Sequence, residues 1–156
     1  MSDLKAKALI FVSIFTLSNK LQILGDRMDR KLSTKQWLLL AGVINSGSAE
    51  PSIGEVAGLI NSSRQNVKKM ALILEKAGFV SMRKDPQDAR ILRLRPTEAC
   101  MEHLRGREVR ENRFLEALFG GFEAEELRAF ARLIEKLKDN VREMEISYDD
   151  RHEEEA

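Results

Sequence analysis

Residues 61–95 read Asn61-Ser62-Ser63-Arg64-Gln65-Asn66-Val67-Lys68-Lys69-Met70-Ala71-Leu72-Ile73-Leu74-Glu75-Lys76-Ala77-Gly78-Phe79-Val80-Ser81-Met82-Arg83-Lys84-Asp85-Pro86-Gln87-Asp88-Ala89-Arg90-Ile91-Leu92-Arg93-Leu94-Arg95. Short polar residues open a helix whose buried stripe is Val67, Met70, Ala71, Leu74 and Ala77. Ser62 and Ser63 compete for its N-cap, Ser62 making a Ser-x-x-Gln pattern with Gln65. Gly78 is placed to stop the helix in a left-handed conformation. Phe79, Val80 and Met82 suit a strand, and Ile91, Leu92 and Leu94 suit a second one, with Arg93 and Arg95 alternating in. The six residues from Asp85 to Arg90 make a turn too long for a two-residue hairpin loop.

Upstream, Ser33-Thr34-Lys35-Gln36 and Ser52-Ile53-Gly54-Glu55 are two capping boxes. The first opens Trp37–Ile44, apolar nearly all round and so expected to be central, with Trp37 as core. The second opens a short helix ending at Ile60, and Asn61-Ser62-Ser63 separates it from the next. Helix, polar turn, helix, strand, long turn and strand form a winged helix-turn-helix. Its second helix fits a major groove and its wing fits a minor groove.

The flanks read differently. Residues 4–30 predict one long helix with a stripe of Leu4, Ala8, Phe11, Ile14 or Phe15, Leu21, Leu24 and Met28. Thr97 caps a charged helix reaching about Phe119, and Gly120-Gly121 breaks it. Leu127, Phe130, Ile134, Leu137, Val141, Met144 and Tyr148 then alternate by three and four, as in helix-on-helix packing of coiled-coil type. The expected fold class is mainly α with a small β-ribbon wing (α+β): a winged helix-turn-helix module plus a helical dimerisation layer. The expected divisions are an N-terminal dimerisation helix (1–31), the winged module (32–96), C-terminal dimerisation helices (97–148) and an acidic, fraying tail (149–156).

Of the 156 residues, 43% are hydrophobic and 33% charged, which suits a soluble protein with long exposed helix faces. The net charge of +1 conceals a division. Residues 1–48 hold seven Lys/Arg against three acids, residues 49–95 nine against five, and residues 96–156 ten against seventeen. The basic part carries the probes, and the acidic part is expected to face away from phosphate. No run approaches the roughly 18 consecutive apolar residues of a membrane span. Ala8–Leu17 reads as a helix face and not a signal peptide. A single cysteine, Cys100, excludes an internal disulfide and fits a reducing cytosol. Two histidines and one cysteine, far apart, give no metal pattern. With no nucleophile–base pair or phosphate loop, neither an enzyme nor a cofactor is expected.

In this order, Leu32-Ser33-x-x-Gln36, Ile53-x-Glu55-Val56-Ala57, Ser63-x-Gln65-Asn66-Val67, Leu74-Glu75-x-x-Gly78-Phe79-Val80, Asp85-Pro86-x-Asp88-x-Arg90 and Leu94-x-x-Thr97 resemble the MarR family of bacterial transcription regulators. The wing motif is the specific part. The resemblance implies a triangular homodimer, cytoplasmic and nucleoid-associated, that binds pseudo-palindromic duplex DNA. In that homodimer the interface residues are Leu4, Phe11, Phe15, Leu127, Phe130, Ile134, Leu137, Val141 and Met144. It also implies a repressor, released by a small phenolic or anionic compound. Two departures stand out: Cys100 replaces a usual glycine, and the last helix opens at Phe122-Glu123-Ala124-Glu125 without a Ser, Thr or Asp cap, so that end is expected to fray.

The expected DNA-binding residues are Ser62, Ser63, Arg64, Gln65, Asn66, Lys68 and Lys69 on the helix, with Lys84, Gln87, Asp88 and Arg90 on the wing. Arg64 suits guanine O6 and N7, and Gln65 and Asn66 suit adenine N6 and N7. Ser62 and Ser63 can donate to phosphate, and Lys68 and Lys69 can reach the backbone. The resemblance assigns Asp88 to orient Arg90 for the minor groove. Effector-binding residues stay open: Trp37, His103 and Arg27 are conceivable, but no motif fixes them. Cys100, early in a helix, is read as packing over a redox role. The alternative to a DNA-binding regulator is a winged-helix protein-interaction module, against which Arg64, Gln65, Asn66 and Arg90 argue.

Overall fold

The computed structural model describes residues 2–154, with side chains through Ser147. Eight elements follow in order: α1 (Asp3–Met28), α2 (Thr34–Ile44), α3 (Ile53–Leu59), α4 (Arg64–Lys76), β1 (Val80–Lys84), β2 (Leu92–Pro96), α5 (Glu98–Leu118) and α6 (Ala124–Glu154). The chain divides into two compact units, residues 1–111 and 112–156.

Local capping sets most boundaries of the first unit. Ser33 and Gln36 close the α2 box, Ser33 N–H donating to Gln36 Oε1 at 2.9 Å. Ser52 and Glu55 do the same for α3, with Ser52 N–H donating to Glu55 Oε2 at 2.6 Å. At α4 the competition resolves to Ser63, whose hydroxyl accepts the Asn66 N–H at 3.1 Å. The Ser62–Gln65 box does not form, because Asn61 is in a left-handed conformation (φ 50°) and Ser62 N–H donates back to Ala57 O. The start of α4 thus shifts one residue. Its end is a Schellman motif: Phe79 N–H reaches Leu74 O, Gly78 N–H reaches Glu75 O, and Gly78 takes φ 80°. Ala77, expected in the buried stripe, is the C-cap and exposed.

The core lies wholly within the winged module and its attachment to α5. Leu39, Leu40 and Val43 of α2 meet Val56 and Ala57 of α3, Val67, Ala71 and Leu74 of α4, and Leu94 of β2. Cys100 from α5 is also fully buried there. Trp37 packs on this core, half-buried, while Leu38 and Ile44 are exposed, so α2 is less central all round than its composition suggests. β1 and β2 pair antiparallel, Met82 opposite Leu94 and Lys84 opposite Leu92. Leu94 N–H also donates to Pro51 O at 2.9 Å, fastening the sheet to the α2–α3 loop.

α1 buries none of its residues within the chain. Leu4, Phe11 and Phe15 are 77%, 64% and 58% exposed, a poor arrangement for a helix left alone in water. By length and composition α1 is long and apolar enough to cross a membrane. A criterion of uninterrupted apolar runs does not detect this, because Ser13, Thr16 and Ser18 break the run while the helix stays apolar on average.

In the second unit, Gly121 (φ 86°) makes the turn after α5, and across it Phe119 meets Phe122 edge to face and Phe122 stacks on Phe130. The expected fraying of the α6 start is corrected. Glu123 N–H donates to Glu126 Oε2 at 2.8 Å, so the carboxylate three residues on does the capping that a serine would have shared. α6 continues to Glu154, into the tail expected to fray; Glu155 and Ala156 lie outside the described residues, as does the side chain of Tyr148.

Candidate nucleic-acid interface

The first turn of α4 presents Arg64, Gln65 and Asn66 to solvent, and Lys68 and Lys69 are also exposed. Val67, Ala71 and Leu74 hold the opposite face in the core, which leaves this face outward. Arg64, Lys68, Lys69 and Lys84 carry no ion pair among the described residues, so their charge is available to an outside anion. The Ser63 hydroxyl accepts in the cap, a bond that leaves its O–H to donate outward, while Ser62 is half-buried.

The wing is ordered by its own acids. Asp85 Oδ1 accepts the backbone N–H groups of Gln87 at 2.8 Å and Asp88 at 3.0 Å. Ile91 N–H closes the turn on Asp88 O, and Asp85 N–H on Ile91 O. Asp88 then takes Arg90 in a two-pronged pair, Nε to Oδ1 and Nη2 to Oδ2, each 3.0 Å. Arg90 remains 91% exposed, so the fork fixes its direction without covering it. This hydrogen bond holds the Asp88 carboxyl below the usual carboxylate range and pushes the Arg90 guanidinium up.

A cleft of about 450 Å³ lies between these two probes, lined by Ser52, Ile53 and Gly54 of the α3 start, Arg64, Gln65 and Lys68 of α4, and Arg90, Ile91 and Leu92 of the wing. It brings together four of the expected contact residues: Arg64, Gln65, Lys68 and Arg90. Asn66, Lys69, Lys84, Gln87, Asp88, Ser62 and Ser63 do not line it. Gly54 fits close under Arg64: a Cβ there would stand 3.3 Å from Arg64 Nε.

Sequence reasoning missed a second polar site. Asp29, 3% exposed, accepts from Lys31 N–H at 2.9 Å, lies 2.7 Å from His103 Nε2, and accepts from Arg107 Nη1 at 3.2 Å. Arg107, also buried, sits 5.8 Å over the Trp37 ring, and its Nε is 2.8 Å from Glu111 Oε1, though out of line for a hydrogen bond. Burial raises the Asp29 carboxyl, but the His103 bond, the Lys31 N–H and the charges of His103 and Arg107 outweigh it and hold it low. Trp37 and His103 therefore share one cluster, while Arg27 does not join it and is exposed. Asp29 already engages the cations an anionic ligand would need. Cys100 is fully buried, and burial pushes its thiol up, which disfavours the thiolate a redox role requires.

An exposed basic helix start beside a forked arginine on a two-stranded wing defines a winged helix-turn-helix protein. Residues 32–92 match the model of the MarR family. Over this stretch, which is the winged module, the chain is similar to members of that family. It is 26% identical over 96 residues to the uncharacterised HTH-type transcriptional regulator YdgJ of Bacillus subtilis (strain 168), across 62% of this chain and 58% of that relative's length. A solved MarR protein from Peptoclostridium difficile superposes with a TM-score of 0.77 at 27% identity, over 85% of this chain and 86% of that one. The organohalide-sensing regulator RdhR-CbdbA1625, in its 2,4-dichlorophenol-bound form, has a similar fold: TM-score 0.76, 18% identity, 90% of this chain and 85% of that one.

Proposed function

We propose that the chain is a homodimeric transcription regulator that binds a pseudo-palindromic duplex, α4 in the major groove and the wing in the adjacent minor groove. The observation that carries this reading is the Arg90–Asp88 fork, held out on the wing across a cleft from Arg64, Gln65 and Lys68. Arg64, Gln65 and Asn66 read base edges; Ser62, Ser63, Lys68, Lys69, Lys84 and Gln87 serve the backbone; and Asp88 aims Arg90 where a narrow A·T minor groove concentrates negative potential. The exposed stripe of α1, with Leu127, Phe130, Ile134, Leu137, Val141 and Met144 of α6, is the dimer contact, and residues 1–31 and 97–148 form the layer that spaces two winged modules. That use of α1 accounts for its apolar length without a membrane.

The regulator acts as a repressor released by a small phenolic or anionic effector, a reading supported by the match of the winged module to the MarR model and by the dichlorophenol-bound protein of similar fold. The test is duplex binding over a salt series with footprinting. A regulator loses affinity steeply with salt and protects one palindrome. A protein-interaction module shows neither, and that result would reject the proposal.

A further inference from the structure

The wing carries four arginines, and they are used differently. Arg90 is bound only within the wing, to Asp88, and is 91% exposed. Arg83 and Arg95 pair with Glu50 from the strand surfaces, both well exposed. Arg93 is 30% exposed and reaches away from the wing face. Its Nε donates to Asp85 Oδ2, its Nη1 donates to Glu50 O at 2.9 Å, and the same Nη1 lies 3.9 Å from Glu55 Oε2. The fork of a planar guanidinium presents separate nitrogens to Asp85 and to Glu50 O, with Glu55 nearby, a fixed spread that the single nitrogen of an ammonium does not have.

Each partner belongs to a different part of the interface. Asp85 organises the wing turn through the Gln87 and Asp88 amides. Glu50 leads into α3, and Glu55 completes the α3 capping box with Ser52. Backbone pairing runs alongside, Ser52 bridging to Arg93 and Leu94 N–H donating to Pro51 O. The α3 start is also the surface against which Arg64 of the recognition helix lies. A continuous polar chain therefore runs from the α3 start through Arg93 and Asp85 to Asp88 and Arg90.

We propose that Arg93 is a positioning residue for DNA recognition, which sets the wing's angle to the recognition helix by tying Asp85 to the segment leading into α3 and does not itself touch DNA. This rests on reading the chain as a duplex-binding regulator. Charge then gives a clean discrimination. Asp85→Asn keeps an oxygen for the Gln87 and Asp88 amides but turns the Arg93 link repulsive while making the wing more positive. Arg93→Met breaks the same link while making it more negative. If Arg93 touched phosphate, these two changes would move affinity in opposite directions.

The experiment measures affinity over a salt series for a duplex selected by the wild-type protein from a random library, together with amide hydrogen exchange of the free proteins. Both variants are expected to weaken binding about tenfold, with the wild-type salt slope retained. Exchange should rise at Gln87, Asp88 and Ile91 and stay unchanged at Leu40 and Leu74. Arg93→Lys should fall between. Tighter binding by Asp85→Asn, a slope reduced by about 0.9 in Arg93→Met, or unchanged affinity in both would overturn the assignment. Loss of protection at Leu40 and Leu74 would do so too, by making Arg93 a general fold residue. Failure of the wild-type protein to select any duplex would count instead against the regulator reading.

Discussion

Arg90 and Asp88 sit two residues apart and meet through two parallel hydrogen bonds of 3.0 Å, one from Nε and one from Nη2, while Asp88 also accepts the Arg90 backbone N–H at 3.0 Å. Two of these bonds fix the direction of the guanidinium, and the third anchors the accepting carboxylate to the Arg90 backbone. An exposed arginine would otherwise lose much of its side-chain freedom only on binding. The fork places that ordering in the free protein.

Arg90→Ala should therefore weaken specific duplex binding by about 1–3 kcal/mol, the usual worth of a well-placed contact. Asp88→Asn should cost less, since the charge stays and only its aim is lost. Titrations at matched salt measure both. Wild-type affinity in Arg90→Ala, with the fold intact, would remove the wing from the account.

Asp29→Asn should destabilise the fold by about 1–3 kcal/mol at neutral pH, because it removes one of the two carboxylates beside the buried Arg107 and leaves Glu111 as the other. The pH dependence has a definite sign. The folded Asp29 carboxyl lies below its unfolded value, so its contribution is complete above about pH 4 and is lost as pH falls through the folded value. Urea unfolding at pH 7 and below pH 4 should show the gap between wild type and variant narrowing in acid. A gap that stays constant would mean that the charge of Asp29 is not what stabilises.

Phe11→Asp and Phe130→Asp should convert the dimer to monomer in sedimentation at micromolar concentration. Each removes an apolar contact worth roughly 1.5–3 kcal/mol per copy and adds an unpaired carboxylate, twice over in a symmetric pair. A wild-type chain that sediments as a monomer would contradict the assigned interface.

Cys100 should react with a thiol reagent only at the rate of unfolding, since it is fully buried and its thiol is pushed up. Mild oxidants should leave duplex affinity unchanged. Rapid labelling of the folded protein would reopen a redox role.

What was legible in the sequence was local. The Ser33–Gln36 and Ser52–Glu55 boxes, the Gly78 stop, the Thr97 cap and the Asp88–Arg90 proximity all act over four residues or fewer, so spacing reveals them. Ser62 and Ser63 were equally good caps on paper, and only the left-handed Asn61 with the Ser62–Ala57 bond decides between them. The Glu126 cap of α6 is hard to read from sequence, because it is half of a capping box without the usual Ser, Thr or Asp partner. The rest depends on residues brought together by tertiary packing. Asp29 meets His103 and Arg107 from 74 and 78 positions away, and Arg93 meets Glu50 from 43. No periodicity encodes such pairs. The exposure of α1 was equally invisible, since an apolar stripe reads alike whether it is buried in its own chain or awaits another.

The central claim is that the chain holds two copies of residues 61–95 at one spacing. The most direct test compares affinity for a selected palindrome with affinity for the same duplex carrying about five extra base pairs between its half-sites. That insertion turns one half-site to the opposite side of the helix, since recognition elements about 34 Å apart match one helical turn. The account predicts a fall to the affinity of unrelated duplex. Undiminished binding to the lengthened site would contradict it.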